Sequence, residues 1–281
     1  MSRRWLIGMT VGLALAVCLP AQAITLRYAP RVGEVHRQKT TIAGGMETTM
    51  EALSQPLRGQ ISVDMEYSEK ALSQTDTLTR MQTDLLGGKA MVSMAGQSQT
   101  TDMPTGRMVA DVDRLSRVVK VIQADLSGGQ QTMGAGAENF PNWSQFGVFP
   151  EGDVDVNDTW SGKVNIPAAP GMPGIANVYT CTLLDLTSFQ GRKCAKIRTA
   201  FNGPFQMDLS GAPGLPQLLE NITYATMQGD IVWYYDYENS VYVYGEGSIS
   251  VDMKMSLGGG NVPAGNMTTK MLMNINTALQ P

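Results

Sequence analysis

From Ser248 to Leu257 apolar and polar residues alternate without a break, Ile249, Val251, Met253, Met255 and Leu257 against Ser248, Ser250, Asp252, Lys254 and Ser256. Successive side chains of an extended strand point to opposite faces, so this period of two predicts a strand with one buried and one wet face. Beyond a glycine-rich loop from Gly258 to Gly265 the period returns, with Thr269, Met271, Met273 and Ile275 opposed to Lys270, Asn274 and Asn276. The two segments are expected to pair antiparallel and share one apolar wall. Ile61, Val63, Met65 and Tyr67 against Ser62, Asp64 and Glu66 read the same way. So do Tyr234 and Tyr235 before the turn Asp236–Asn239, with a strand from Ser240 to Tyr244 after it. Helical spacing is confined to short stretches: Thr48–Leu53, with Met46, Met50 and Leu53 on one face; Asn139–Phe146; and Leu215–Ile222, where Pro216 suits a first helical turn. These predict short helical lids on a sheet.

The chain also echoes itself. Val32-Gly33-Glu34-Val35-His36 aligns with Val156-Asn157-Asp158-Thr159-Trp160 at an offset of 124. Met108-Val109 with Asp113 and Val118 aligns with Ile231-Val232 with Asp236 and Val241 at an offset of 123. Near-equal offsets are the mark of a duplicated unit, although recurrent hairpins generate similar echoes. The expected fold is mainly β: two related antiparallel curved-sheet units of half-barrel type, residues 24–149 and 150–281, meeting near Phe149–Gly152. Thirty glycines and 14 prolines, with few of the Ala, Glu, Lys and Leu blocks that build long helices, agree with that class.

Residues 1–23 read as a signal peptide. Arg3 and Arg4 precede an apolar run from Trp5 to Leu19, followed by Pro20 and Ala21-Gln22-Ala23. A run of 15 residues is short of the roughly 20 needed to span a bilayer, and no later segment is apolar enough to do so. Leu15-Ala16-Val17-Cys18 has the outline of a lipobox, but Val17 stands where a small residue is required, which argues against acylation at Cys18. The expectation is export to the periplasm or the extracellular space. Cleavage after Ala23 takes 21 basic residues to 19 against 25 acidic ones, a net charge of −6. An acidic chain without lysine or arginine runs lacks the footprint of a nucleic-acid binder.

Catalytic constellations are missing. His36 is the single histidine, so every Ser/His/Asp or Cys/His arrangement would rest on it, and its setting among Glu34, Arg37 and Lys39 reads as an exposed residue near a strand start. His36, Cys181 and Cys194 have no zinc-ligand spacing. The run Glu151–Thr159, with Asp153, Asp155 and Asp158, is only loosely like a calcium loop, lacking its central glycine and terminal glutamate. Asn142, Asn157, Asn221 and Asn266 stand in glycosylation-type triplets, silent in a bacterial exported protein. The sequence therefore implies no cofactor, no metal and no enzyme.

Cys181 and Cys194 are the thiols left after cleavage, and an oxidising compartment favours a disulfide between them. A turn at Gln190-Gly191 argues the other way, since it sets Phe189 against Arg192, Asp185 against Lys196 and Cys181 against Ala200. Methionine is abundant: 17 of 19 remain after cleavage, several two apart on strands. Thioethers bind copper(I) in exported proteins, but here they share the apolar phase with Ile and Val, so packing is the better reading. A methionine-lined sheet also adapts to apolar ligands.

Val156-Asn157-Asp158-Thr159-Trp160, the strand Tyr179–Leu183 and the hairpin Gly191-Arg192-Lys193-Cys194-Ala195-Lys196-Ile197 resemble motifs of uncharacterised exported bacterial β-rich proteins, with Asn157 where that pattern has glycine. At fold level these resemble the LolA/LolB-like lipoprotein carriers. The resemblance covers residues 150–200 and implies a curved sheet around an apolar interior closed by short helices, with no active-site residue to carry over. The functional expectation is a non-enzymatic protein holding an apolar, lipid-like ligand on a concave sheet. Met253, Met255, Met271 and Met273 would line one wall, with Trp233 and Tyr235 near a rim. The alternative is a structural or protein-interaction module of the bacterial cell envelope, contacting an envelope protein through strand edges.

Overall fold

The computed structural model describes residues 23–51, 55–103, 105–127, 148–166, 174–208, 219–257 and 265–281. The leader, Cys18 and the segment Asn139–Phe146 lie outside them. Thirteen strands follow in chain order: β1 (Val35–Met50), β2 (Leu57–Gln74), β3 (Leu78–Met94), β4 (Gln97–Met103), β5 (Thr105–Asp113), β6 (Val118–Ser127), β7 (Thr159–Ile166), β8 (Gly174–Phe189), β9 (Arg192–Pro204), β10 (Gln206–Asp208), β11 (Leu219–Asp236), β12 (Val241–Leu257) and β13 (Gly265–Leu279). All pair antiparallel in one sheet, in the order β10-β8-β9-β11-β12-β13-β1-β2-β3-β5-β6, with β4 on β3 and β7 on β8. Two meanders, β1–β6 and β7–β13, are thus joined edge to edge where β1 pairs with β13 from Gln38↔Leu279 to Met50↔Met267. The two units expected from sequence are halves of a single continuous open sheet.

The helical lids are corrected where they fall on described residues, Thr48–Glu51 and Leu219–Ile222, while Ala52, Leu53 and Leu215–Leu218 lie outside these. Among the described residues there is no helix. Thr48–Met50 ends β1, paired with Thr269, Thr268 and Met267, and Leu219–Ile222 opens β11. A spacing of four between Met46 and Met50 satisfies a strand as well as a helix, because four is a multiple of two, and ladder pairing decides between them.

The sheet must curl. The backbone N–H of Phe149 donates to the Leu115 carbonyl, in the β5–β6 turn, while the Trp160 indole on β7 donates to the neighbouring Val148 carbonyl at 2.6 Å. From β7 to β5 the sheet order counts nine steps, roughly 43 Å on a flat sheet at about 4.8 Å per strand. One two-residue segment touches both, so the sheet is rolled into a trough around it. Residues 24–28 lie alongside: Ile24 and Val154 exchange backbone hydrogen bonds, and the Tyr28 N–H donates to the Arg114 carbonyl. The Tyr235 hydroxyl, from the far half, donates to the Arg27 carbonyl at 2.6 Å. Leu26, Tyr28, Phe149 and Val154 are buried in one core with Ala71, Met81 and Val112 of the first half and Tyr179, Leu183, Ile231 and Tyr235 of the second. These non-strand residues plug one end of the trough.

Glycine permits the bend. At Gly44 and Gly247 a Cβ would overlap the backbone of the adjacent strand, at Leu272 and Asp230 respectively, so only a residue without one fits the fold of the sheet there. Elsewhere an aromatic ring covers the gap: Trp233 lies across Gly245 and Tyr179 across Gly162.

The positions aligned by the internal echo occupy like places. Gly33 and Asn157 both have positive φ, +87° and +78°, just before β1 and β7, and each donates its N–H to the next strand, at Ala71 and Leu183. Asp113 and Asp236 each accept backbone N–H bonds across the following turn. Bulges fall between Ala71 and Ser73 and between Leu183 and Asp185.

The register of this hairpin excludes the disulfide, and the second bulge puts the two thiols on opposite faces. The hairpin keeps Phe189↔Arg192, Cys194↔Thr187 and Asp185↔Lys196, and the extra residue moves Cys181 from Ala200 onto Thr199. Thr199 and Cys194 are five residues apart on β9, an odd number, so the thiols occupy opposite faces roughly 17 Å apart along the strand. Both are free and buried, Cys181 in the main core and Cys194 in a smaller cluster with Val241 and Val243. Burial pushes both thiols up to about 11. The native protein is expected to resist a thiol reagent such as dithionitrobenzoate at pH 8 and to release two equivalents in denaturant without a reductant. Fewer than two equivalents would show a bridge.

Candidate ligand-binding face

Register assigns every side chain of the trough to its inner or outer face. Across β12, β13, β1, β2 and β3, one inner row reads Gly247, Ile275, Ile42, Val63, Ala90, and the next Ile249, Met273, Gly44, Ile61, Val92. A third reads Val251, Met271, Met46, Gly59, Met94. All arginines and lysines of these strands and of β5 fall on the opposite face. There three of the arginines join ion pairs, Arg58–Glu47, Arg80–Asp111 and Arg107–Asp84, at 3.1, 2.8 and 2.6 Å.

The methionines singled out from sequence divide into two groups. Met253 and Met255, on β12, are buried against Ala225 and the rest of the core. Met271 and Met273, on β13, are half-buried against the same core, next to Met46 and Gly44 of β1. Trp233 and Tyr235 are interior rather than at a rim. Tyr235 is fully buried and packs on Phe149 with ring centroids 4.5 Å apart, while Trp233 meets the Tyr242 ring edge-on at 5.7 Å. The plug turned these aromatics into core residues, because it fills the end of the trough that they face.

The half-buried part of the inner face lies mostly on strands that pattern reading had not assigned to a site. Ile42, Met46, Ile61 and Val63 are half-buried, and Val92 is exposed. A groove of about 720 Å³ at the far end of the strands is lined mainly by outer-face residues, among them Glu47, Arg58, Gln60, Asp252, Lys270 and Leu272, together with Met46, Gly59, Met94 and Met271. A second groove, of about 520 Å³, runs among Asp230, Glu246, Ser248, Asn274 and Asn276. Ala43, Val232 and Ile275 also line it, so its lining is mixed.

A polar belt separates the plug from the apolar rows. Thr40 and Thr277 face each other, hydroxyl to hydroxyl, at 3.0 Å. One step toward the plug, the Tyr67 hydroxyl donates to Gln38 Oε1 at 2.9 Å, and Gln38 Nε2 donates to Glu69 Oε2 over a long 3.4 Å. Glu69 stands opposite His36 and, among the described residues of β1–β3, β5, β12 and β13, is the one acid on the inner face. Burial pushes its carboxyl up to about 7. This residue was legible: continuing the alternation Ile61, Val63, Met65, Tyr67 by one step places Glu69 in the apolar phase.

His36 is not the exposed residue expected. It is buried, 3.7 Å from Glu34, and burial lowers its pKa against the opposing pull of Glu34. Its inward phase on β1, with Gln38 and Thr40, is the reason. The acidic run at Glu151–Thr159 forms turns: Asp153 accepts from the Thr25 hydroxyl, and Asp158 Oδ2 accepts from the Asp155 N–H. No group of three His, Cys, Asp or Glu residues able to hold a metal ion occurs among the described residues.

No family model matches the chain, and no curated protein does. Among solved structures it is similar to the lipovitellin of a study titled "lipid-protein interactions in lipovitellin", at 10% identity and a TM-score of 0.40, over 90% of this chain and 25% of the other. It thus spans about a quarter of that protein's length. OpdQ of Pseudomonas aeruginosa matches at 7% identity and a TM-score of 0.28, over 89% of this chain and all of that one. DynF of the dynemicin pathway of Micromonospora chersina matches at 10% and 0.23, over 94% and 88%. The LolA/LolB-like carriers do not figure among these three. The ligand reading rests on the chain's own residues.

Proposed function

We propose that the chain is an exported, non-enzymatic binding protein that holds an apolar, lipid-like ligand in the trough of its curved sheet. The observation that carries this reading is the inner face itself. Three consecutive rows are apolar or glycine across five strands, and they lie only half-covered on β13, β1, β2 and β3. Burying such surface is favourable by about 25 cal/mol per Å². An acyl chain along Ile42, Ile61, Val63, Val92 and Met273 would supply that burial, and the flexible thioethers would adapt to its shape. A curved sheet around an apolar interior is also what the LolA/LolB-like resemblance implies, and export rests on the leader. We read the two meanders as products of a duplication.

The test is direct. Protein purified without detergent, extracted with chloroform–methanol and examined by mass spectrometry, is expected to release a lipid. The extracted protein is expected to bind N-phenyl-1-naphthylamine with a rise in fluorescence that Val63→Asp lowers at least fivefold in affinity. A clean extract together with no bound fluorophore would overturn the reading.

An interaction module of the cell envelope has its own support. β6 pairs only with β5 among the described residues and exposes Val119 and Ile122 along an edge, a surface suited to strand addition or a partner protein. Capture of one defined partner on β6, abolished by Val119→Lys, would favour this reading.

A further inference from the structure

Resting on the apolar-ligand reading, we infer that the trough selects lipids without an anionic head and seats a hydroxyl-bearing head at the belt formed by Glu69, Gln38, Tyr67 and the Thr40–Thr277 pair. Charge distribution supports the first half. No arginine or lysine of β1, β2, β3, β5, β12 or β13 faces inward, and the guanidinium that acts on His36, Arg192 of β9, is already paired with Asp236, so a phosphate or carboxylate drawn into the trough would leave water with no uncommitted cation on those strands to meet it. The one acid on that face, Glu69, would repel it further.

Geometry supports the second half. The belt begins one residue pair below the apolar row Ile275, Ile42, Val63, about 7 Å along the strands, and continues at Gln38↔Tyr67 and His36↔Glu69. A chain lying on the rows therefore ends at the belt. Two of its groups lack a hydrogen-bond partner although their residues are more than nine-tenths buried: the indole N–H of Trp233, in the same row as Thr277 and Thr40, and Nε2 of His36. Among the described residues Glu69 accepts one side-chain hydrogen bond, the long one from Gln38. An alcohol, which both donates and accepts, satisfies such a mixed set, whereas a bare carboxylate can only accept.

Displacement of N-phenyl-1-naphthylamine at pH 7.5 by 1-oleoylglycerol and by oleoyl lysophosphatidic acid, which share chain and glycerol and differ by a phosphate, tests this below their aggregation concentrations. The neutral lipid is expected to displace at tenfold lower concentration or less. Glu69→Gln is expected to keep that preference, and Glu69→Lys to shrink it at least fivefold by supplying the missing cation. Should Glu69→Lys fail to fold, Thr40→Lys provides the same cation at the edge of the belt. Equal displacement by the two lipids, with the fluorophore still bound, overturns the selectivity and leaves the apolar site standing. Failure to bind the fluorophore or either lipid overturns both.

Discussion

Gly44→Ala is expected to destabilise the protein by about 3 kcal/mol, a fall of roughly 6–12 °C in Tm for a chain of this size, while Gly45→Ala leaves Tm unchanged or slightly raised. The two glycines are adjacent and alike in sequence. A Cβ on Gly44 would meet the Leu272 carbonyl oxygen and the Met273 Cα of β13, backbone atoms that move only if the sheet unbends. A Cβ on Gly45 would meet nothing within 4 Å. At the open position, removing glycine costs no contact and restricts the unfolded chain, worth about 0.4–1 kcal/mol in favour of alanine. Differential scanning calorimetry of the two variants checks the pair. Equal Tm values would show that β13 and β1 are not packed as closely as the curled sheet requires.

The second large effect is expected at Asp236. Its carboxylate is buried in the turn between β11 and β12, where Oδ1 accepts the N–H groups of Glu238 and Asn239. Oδ2 accepts from Asn239 Nδ2 at 2.7 Å and from the Arg192 guanidinium at 2.9 Å. Asp236→Ala strips partners from four donors and leaves a half-buried guanidinium uncompensated, an expected loss of about 3–5 kcal/mol. Asp236→Asn keeps the acceptor for the two backbone donors and is expected to lose about half as much.

The pH dependence gives a second readout at this site. Burial alone would raise the Asp236 pKa, but the bonds from Asn239, Arg192 and the backbone together hold it below the usual carboxylate range. A carboxyl lowered in the folded state contributes stability above its unfolded value, about 3.9, and loses it as pH falls through the folded value. Urea unfolding from pH 6 to pH 3 is therefore expected to show a steeper loss for the native protein than for Asp236→Asn. Parallel curves would remove Asp236 from the acid response.

Much of the fold could be read locally. The alternations at Ile61–Tyr67, Ser248–Leu257 and Thr269–Ile275 are strands in the structure, and Asp185 and Lys196 face each other as the Gln190-Gly191 turn requires. What failed did so for identifiable reasons. Thr48–Leu53 offered a spacing compatible with both periods, and pairing of β1 with β13, more than 200 residues away, chose the strand. Cys181 and Cys194 were set on opposite faces by one bulge residue between Leu183 and Asp185 that no pattern announces. Trp233 and Tyr235 became core because Leu26, Tyr28 and Phe149, remote in sequence, fill the space before them. Glu69 and Val92 were in phase with apolar neighbours, but only pairing placed Glu69 below Ile42 and Val63, and Val92 beside Ile61.

Two-residue periodicity is a property of the extended backbone, so which residues share a face could be settled strand by strand from composition alone. So could the likeness of Gly33 to Asn157 and of Asp113 to Asp236, since turn chemistry is also local. Curvature is a different matter. It depends on how closely β1 approaches β13 at Gly44 and β12 approaches β11 at Gly247, and on a plug drawn from two segments over a hundred residues apart. Those contacts fix which apolar rows are core and which remain half-open, and the apolar face becomes a candidate binding surface only where the plug leaves it uncovered.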